Sequence, residues 1–170
     1  WVFADPAGQG WHMLVTARAN HGDDAGRGVI GHAVSLDLEH WDVRPPLSQP
    51  QTGFSHLEVP QVVEIEGRNL LVFCCNSPRL ANERLGQVGG IWTAPAESAA
   101  GPFDVARARR LVDERYYAGR LVRDRSGRWV LLAFRMNAPG QPFEGVISDP
   151  MRLAWDGGNV VLAEAIRGAA

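Results

Sequence analysis

The chain has 170 residues, of which 45% are hydrophobic and 21% are charged. This composition is typical of a folded globular protein and excludes a disordered chain. Its formal charge is -2 at pH 7 and no apolar run approaches the ~20 residues that span a bilayer, so we expect no nucleic-acid partner and no membrane association.

The first unit of the chain has two apolar strands joined by a polar turn. The segment Trp1–Phe3 already has the character of the middle of a strand, so we expect further sequence upstream. After the turn ADPAGQG, a second apolar strand begins at Trp11 and a glycine-led strand begins at Gly31. A short fourth strand follows near Trp41–Val43. Asp5 lies in the turn, and we assign it to turn chemistry.

The second unit repeats this plan. The strand VPQVVEI, the turn EGR and the strand NLLVFCC are followed by a glycine-led strand from Gly90 and a short strand near Phe103–Val105. Two adjacent cysteines, Cys74 and Cys75, lie inside this second strand, where neighbouring side chains point to opposite faces. We therefore predict two buried thiols, and neither a disulfide between them nor a shared metal ion.

The third unit has the strands GRLVRD and WVLLAF around the turn RSGR, then a glycine-led strand from Gly145 and a last strand at Asn159–Leu162. The second strands of the three units begin at Trp11, Leu70 and Trp129, so they are spaced by 59 residues each time. A constant period of this length indicates a repeat architecture.

Four short strands per unit, joined by Gly, Pro and Asp turns, are typical of a propeller blade. We predict an all-β fold, a β-propeller of four-stranded antiparallel blades that cover roughly residues 1–50, 57–112 and 116–165. A β-sandwich also has many short strands, but it would not show an internal period of 59 residues. Propellers close with ~4–8 blades, so we expect blades outside this chain to complete the fold.

Glu58 is the candidate catalytic residue. The innermost strand of each propeller blade lines the central channel, and polar residues at the ends of these strands meet at one mouth. Glu58 stands directly before the apolar strand of the second unit, flanked by Leu57 and Val59, and Pro60 removes a backbone donor. Such surroundings exclude water and favour the protonated carboxyl that a general acid needs. The alternative is a strand-end glutamate exposed to water.

Five segments, in their order along nearly the whole chain, resemble glycoside hydrolase family 32, the β-fructosidases and invertases. They are WVFADPAGQGWHMLVTAR, GHAVSLDLEHWDVRPPL, LEVPQVVEI, YYAGRLVRDRSGRWVLLAF and GVISDPMRLAWDGGNVVL. The phrase from Ser35 to Trp41, in which a strand ends in Ser before Asp-Leu and Trp, is fairly specific to this group. The resemblance implies a five-bladed propeller, of which about three blades are present here.

The resemblance implies that Glu58 is the acid/base of the family, since the segment Glu58–Pro60 stands where the family has Glu, a small residue and Pro. The family usually has Cys where this chain has Val59, and Asp where it has Gln61, so the chain departs from the pattern at both positions. The two other carboxylates of the family, including its nucleophile, would fall before Trp1.

Tyr117, Tyr116 and His56 are the candidate substrate-binding residues. Tyr117 is the counterpart of Glu58 one repeat later, and a tyrosine that lines the channel can stack on a sugar or hydrogen-bond to it. The segment Tyr116–Ala118 stands where the resemblance implies Asp-Phe-Tyr-Ala. His56 precedes Glu58 by two residues and is expected at the same mouth. Ordinary packing is the alternative for all three residues.

These observations favour a glycoside hydrolase that cleaves fructosyl linkages of sucrose or fructans with Glu58 as general acid/base. We expect a carbohydrate substrate, no cofactor and no metal ion. An arabinosidase or xylosidase similar to family 43 is one alternative, and a non-catalytic propeller that binds a glycan or a protein is another. Away from the site, the cluster of Arg107, Arg109 and Arg110 is interpreted as a solvated face.

Overall fold

The computed structural model describes residues 1–136 and 145–163, and this part of the chain folds into three antiparallel sheets of four strands each. In every sheet the strands follow one another in chain order, each paired with the next. The fold is therefore all-β and built from repeated four-stranded sheets, as the sequence predicts. No helix in the described residues is long and apolar enough to cross a membrane.

The first sheet forms around the hairpin that contains Asp5. Its strands are β1 (Val2–Ala4), β2 (Trp11–Arg18), β3 (Gly28–Ser35) and β4 (Asp42–Arg44). Side chains alternate between the two faces, so Leu14 and Ile30 are buried towards the second sheet, whereas Val15 and Val43 on the other face are 42% and 86% exposed.

The second sheet is buried on both faces. Its strands are β5 (Glu58–Ile65), β6 (Arg68–Cys75), β7 (Gly90–Ala96) and β8 (Arg109–Asp113). Alternate residues of β6 enter two different apolar clusters: Phe73 and Cys75 pack towards the first sheet, and Val72 and Cys74 pack towards the third. This double burial explains why β6 is a continuous apolar run instead of an alternating one.

One fourth-strand prediction is wrong. The last strand of the second sheet is β8, and it does not lie near Phe103–Val105 as the sequence predicts. Phe103 forms only an isolated bridge to Ala96, and its ring is buried in the cluster between the first and second sheets. A short 3₁₀ turn at Val105–Arg107 then leads into β8. Phe103 is apolar because it fills this core, and sequence pattern alone does not separate that role from a strand.

The third sheet has the strands β9 (Tyr116–Arg123), β10 (Trp129–Arg135), β11 (Met151–Asp156) and β12 (Asn159–Leu162). Its third strand begins at Met151 and not at Gly145. The segment after Gly145 makes one bridge, between Ile147 and Phe134, and the chain then passes through Pro150 before β11 starts. Proline has no N–H to donate, so the ladder is interrupted there.

Candidate active site

Glu58 is the first residue of β5, where that strand carries a β-bulge. Glu58 pairs with Cys74 and Gln61 pairs with Val72, so Val59 and Pro60 together face a single residue of β6. Val59 has φ 51°, a left-handed conformation that is unusual for a β-branched residue. Bulges bend a strand and redirect its side chains, and they are frequent beside active sites.

The same bulge recurs one repeat later in β9. Tyr117 pairs with Phe134 and Arg120 pairs with Leu132, so Ala118 and Gly119 face one residue of β10. Ala118 has φ 49°, close to the value at Val59. The two first strands therefore redirect their leading side chains, Glu58 and Tyr117, with the same local geometry.

The carboxylate of Glu58 lies between a phenol and an imidazole. The hydroxyl of Tyr117 donates a hydrogen bond to Oε2 of Glu58, and Nε2 of His56 lies 3.6 Å from Oε1. The Glu58 side chain remains 38% exposed, whereas that of His56 is 18% exposed. The structure thus brings together three of the four residues that the sequence singles out.

His56 occupies a position where its positive form is unfavourable. Burial lowers the pKa of this imidazole, the nearby cations Arg79 and Arg18 lower it further, and Glu58 opposes them. Nε2 of His56 is buried and has no hydrogen-bond partner among the described residues. The loop that carries His56 packs closely on the first sheet, since a Cβ at Gly28 would lie 2.7 Å from the backbone nitrogen of His56.

Two side chains join β5 and β9 directly below Glu58. Gln61 donates a 2.9 Å hydrogen bond to the carbonyl of Leu121 and accepts a 2.9 Å bond from its N–H. Arg120 donates to the carbonyl of Val59 at 2.7 Å, and its guanidinium lies 5.6 Å from the ring centroid of Trp1. Residues of β9, the first strand of the third sheet, therefore hold the bulge of β5 in place.

The sequence does not indicate that Gln61 and Arg120 belong to the site. Each is a polar residue within a strand that is otherwise largely apolar, and this is the only indication that the sequence offers of a special role. A polar residue in an apolar strand can be placed on one face of that strand, but its hydrogen-bond partner cannot be inferred. Here each of the two residues bonds to a residue of another sheet.

The adjacent cysteines are buried free thiols, as predicted. Burial raises the pKa of Cys74 to about 11, although the main-chain groups of Gly119 and Ala118 oppose this shift. Burial also raises the pKa of Cys75 to about 12. Both thiols therefore stay protonated at neutral pH, and neither is poised to act as a nucleophile.

Tyr116 and Asp5 lie outside the Glu58 cluster of contacts. Tyr116 packs against the core between the second and third sheets, and no hydrogen bond joins it to Glu58 within the described part of the chain. Asp5 is in the turn between β1 and β2, where Oδ1 accepts a 2.8 Å hydrogen bond from the N–H of Ala7. Its position in this turn agrees with the assignment from the repeat.

Chemically, the arrangement offers one carboxyl group with a phenolic donor. Among residues 1–136 and 145–163, the side-chain partners of Glu58 are Tyr117 and His56, and no second carboxylate is hydrogen-bonded to it. No group of three or more potential metal ligands is found in the same residues. A lone acid can donate a proton, whereas hydrolysis of a glycosidic bond uses two carboxylates.

No protein-family model matches the chain, and the search of curated proteins found no match. Solved structures do resemble it. An inulosucrase from Halalkalicoccus jeotgali bound to kestose is 18% identical with a TM-score of 0.72, and the match covers 95% of this chain and 48% of that protein. A levansucrase from Gluconacetobacter diazotrophicus is 13% identical with a TM-score of 0.72, covering 95% and 44%.

A GH32 β-fructofuranosidase from Bombyx mori is 16% identical with a TM-score of 0.67, and the match covers 98% of this chain and 37% of that protein. The chain thus spans less than half the length of these three proteins. The likeness shows that the three sheets have the β-propeller fold that the sequence predicts.

Proposed function

We propose that a propeller containing this chain is a glycoside hydrolase that acts on fructosyl linkages, with Glu58 as its general acid/base. The single observation that carries the proposal is the placement of Glu58. Glu58 is the first residue of β5, and the bulge that follows it redirects its side chain. Its carboxylate accepts a hydrogen bond from Tyr117 of β9.

The chemistry required of Glu58 is proton transfer to the departing glycosidic oxygen. Its side chain is partly exposed, which leaves the carboxyl accessible to a substrate, while Tyr117 and the bulge fix its direction. General acid catalysis by a well-placed group contributes ~10²–10⁴-fold to the rate. This contribution depends on orientation, which the contacts around Glu58 supply.

The proposal requires a second carboxylate outside the described residues. In a retaining enzyme this group would lie ~5–5.5 Å from Glu58 and attack the sugar, and in an inverting enzyme it would lie ~6.5–9.5 Å away and activate water. The exposed apolar face of the first sheet, with Val15 and Val43, offers a surface on which a further blade can pack. We infer that such a blade closes the propeller and supplies the second acid.

We propose that Tyr117 and His56, which contact Glu58, also contact the sugar. A phenol that already bonds to the acid can stack on a sugar ring or share its hydroxyl with one. The Nε2 atom of His56 has no hydrogen-bond partner in the described residues, but it is buried, so a bond from it to a sugar hydroxyl requires a rotation of the imidazole that exposes it. Tyr116 is retained as a substrate contact only on the strength of the family resemblance.

The decisive variant is Glu58→Gln in the complete propeller. The amide keeps the shape of the side chain but cannot deliver a proton, so we expect kcat on sucrose or a fructan to fall ~10²–10⁴-fold. The measurement is release of reducing sugar, with product analysis to separate hydrolysis from fructosyl transfer.

Glu64→Gln is the matched control, because Glu64 lies in the same strand but is exposed at its other end. We expect that variant to retain the parent activity. Undiminished turnover of Glu58→Gln on every fructoside and arabinoside cleaved by the parent would refute the assignment. A complete propeller that binds fructan without cleaving it would instead support the non-catalytic alternative.

A further inference from the structure

A cavity lies between the outer parts of the second and third sheets. Its volume is about 530 Å³, within the range of small-molecule sites. Three arginines, Arg84, Arg107 and Arg109, contribute to its wall, together with the turn at Gly157 and Gly158 between β11 and β12. We call this cavity the arginine pocket. Among the described residues that line it, none is an aspartate or a glutamate.

Arg84 is a buried cation without an ion-pair partner among the described residues. It is only 8% exposed, and its guanidinium stacks 4.5 Å above the ring of Phe54. Its two hydrogen bonds go to the carbonyls of Thr52 and Ala106, at 3.1 and 2.9 Å. Two bonds leave most of its five N–H donors unused, and a buried charge is costly unless an opposite charge compensates it.

Two further cations surround Arg84. Arg109 is exposed and forms no ion pair in the described residues, and Arg107 has only a 3.8 Å contact to Asp104 at the surface. Burial lowers the pKa of Arg84, and the positive charge of Arg109 lowers it further although Glu83 opposes both. The pocket thus concentrates three guanidinium groups, whose positive charge Glu83 and Asp104 offset only in part.

The turn that closes the pocket leaves its backbone accessible. Gly157 and Gly158 have φ 52° and 86°, conformations that favour glycine. A Cβ on Gly157 would meet no atom within 4 Å, and one on Gly158 would lie 3.8 Å from Nη1 of Arg68. The guanidinium of Arg68 therefore lies near this turn, although Arg68 does not line the cavity.

We propose that the arginine pocket is a binding site for a phosphoryl group, carried by a small phosphorylated metabolite or present as inorganic phosphate. Arginine forks match the oxygens of phosphate and form two parallel hydrogen bonds to them. A phosphoryl group would provide a negatively charged partner for the guanidinium groups of Arg84, Arg107 and Arg109. The cavity is large enough to hold a small molecule attached to it.

The arginine pocket is separate from the Glu58 site. Glu58 pairs with Cys74 at the carboxyl end of β6, whereas the pocket is lined by Leu70 near the amino end of that strand. Pro95 pairs with Leu70 and Arg109 pairs with Thr93, so the pocket lies at the other end of the second sheet. Phosphoryl binding there does not depend on the proposed glycosidase activity.

The test is a calorimetric titration of the complete protein with inorganic phosphate, glucose 6-phosphate and glucose at constant ionic strength. We expect saturable binding of the two phosphorylated probes and none of glucose. Arg109→Gln should raise the dissociation constant for phosphate about tenfold or more, because a charge-assisted contact is lost. Arg109 is chosen because it is exposed, so its replacement leaves the buried Arg84 and the fold in place.

Arg110→Gln is the matched control, since Arg110 is the next residue of β8 and donates to the carbonyl of Val88 instead of lining the pocket. Unchanged affinity in this variant supports the site. Equal losses in Arg109→Gln and Arg110→Gln would mean general charge attraction and overturn the proposal, as would no saturable binding at millimolar phosphate. Tighter binding of glucose 6-phosphate than of phosphate would identify a phosphorylated metabolite, and equal binding would identify phosphate itself.

Discussion

The side chains around Glu58 combine an acid, a phenol and an imidazole from two neighbouring sheets. Tyr117 bonds to one carboxylate oxygen and His56 approaches the other. Because burial disfavours the positive form of His56, this imidazole enters the site as a neutral group. It can therefore exchange a hydrogen bond with a ligand without placing a second charge beside the carboxylate.

The pH dependence of stability should report the burial of His56. Its pKa is lower in the folded protein than the ordinary value of 6.5, so the unfolded chain takes up this proton more readily. The contribution of His56 to the free energy of unfolding is therefore fully present above about pH 6.5 and is lost as pH falls from there through the lower pKa of the folded protein. We expect the stability of His56→Gln, relative to the parent, to be higher at pH 5 than at pH 8 in denaturant unfolding.

Both proteins retain His32, whose pKa burial also lowers, so its contribution cancels in this difference. A stability difference that stays constant from pH 8 to pH 5 would show that His56 titrates alike in the folded and unfolded states. In that case the explanation of its neutral form would fail.

Among the strands, β5 and β9 share one conformational peculiarity. Val59 and Ala118 both adopt left-handed backbone conformations directly after Glu58 and Tyr117. Such a conformation costs a residue with a Cβ about 1–2 kcal/mol. The same conformation recurs 59 residues apart, so it is a shared feature of the first strands of the second and third sheets.

Ala118→Gly should stabilise the protein by about 1 kcal/mol, because glycine adopts a positive φ without strain. Ala154→Gly is the control: Ala154 lies in β11, is half-buried like Ala118 and has no positive φ. There the same change should destabilise by about 0.5–1 kcal/mol. Thermal unfolding of both variants checks this, and a lower melting temperature for Ala118→Gly than for the parent would contradict the strain argument.

The 59-residue period predicts the order and the number of strands, but two boundaries differ for physical reasons. Phe103 has the apolar character of a strand residue, yet it fills the core between two sheets. After Gly145 the chain makes a single bridge and resumes pairing only at Met151, beyond Pro150. Hydrophobic pattern reports burial, and burial alone does not specify which groups form the backbone ladder.

In the part of the chain that the structure describes, the three sheets are not joined by strand pairing, so side chains that hydrogen-bond to the backbone of a neighbouring sheet help to hold them together. Gln61 bonds to both the N–H and the carbonyl of Leu121, so it joins the second sheet to the third as a strand neighbour would. Contacts of this kind span about one repeat of sequence. Sequence pattern therefore places Gln61 on a strand and gives no indication of its partner.

Gln61→Leu should lower the free energy of unfolding by roughly 2–4 kcal/mol, because two buried polar groups of Leu121 lose their partners. Gln87→Leu is the control, since Gln87 is exposed and its side chain makes a single hydrogen bond in the described residues, from the amide nitrogen to the carbonyl of Glu83. That change should remain within about 0.5 kcal/mol. Equal small effects in denaturant unfolding would show that the bridge between the sheets does not hold them together.

The sequence also places Glu58 and Tyr117 at equivalent points of successive repeats, and the structure brings these two residues into contact. It does not indicate Arg120, which contacts Val59 of the second sheet and Trp1, the residue before the first strand of the first sheet. A repeat predicts relations between equivalent positions. Contacts between unlike positions follow from how the sheets are packed, and a period contains no information about them.

The recurring bulge has a consequence for how such a protein can acquire new chemistry over its history. Backbone geometry, and not the identity of the side chain, determines the direction of the residue that precedes Val59 or Ala118. A gene duplication that copies one blade therefore also copies a side-chain position already directed at the site. A change at a single codon can then place a new functional group there, as the glutamate of one repeat and the tyrosine of the next illustrate.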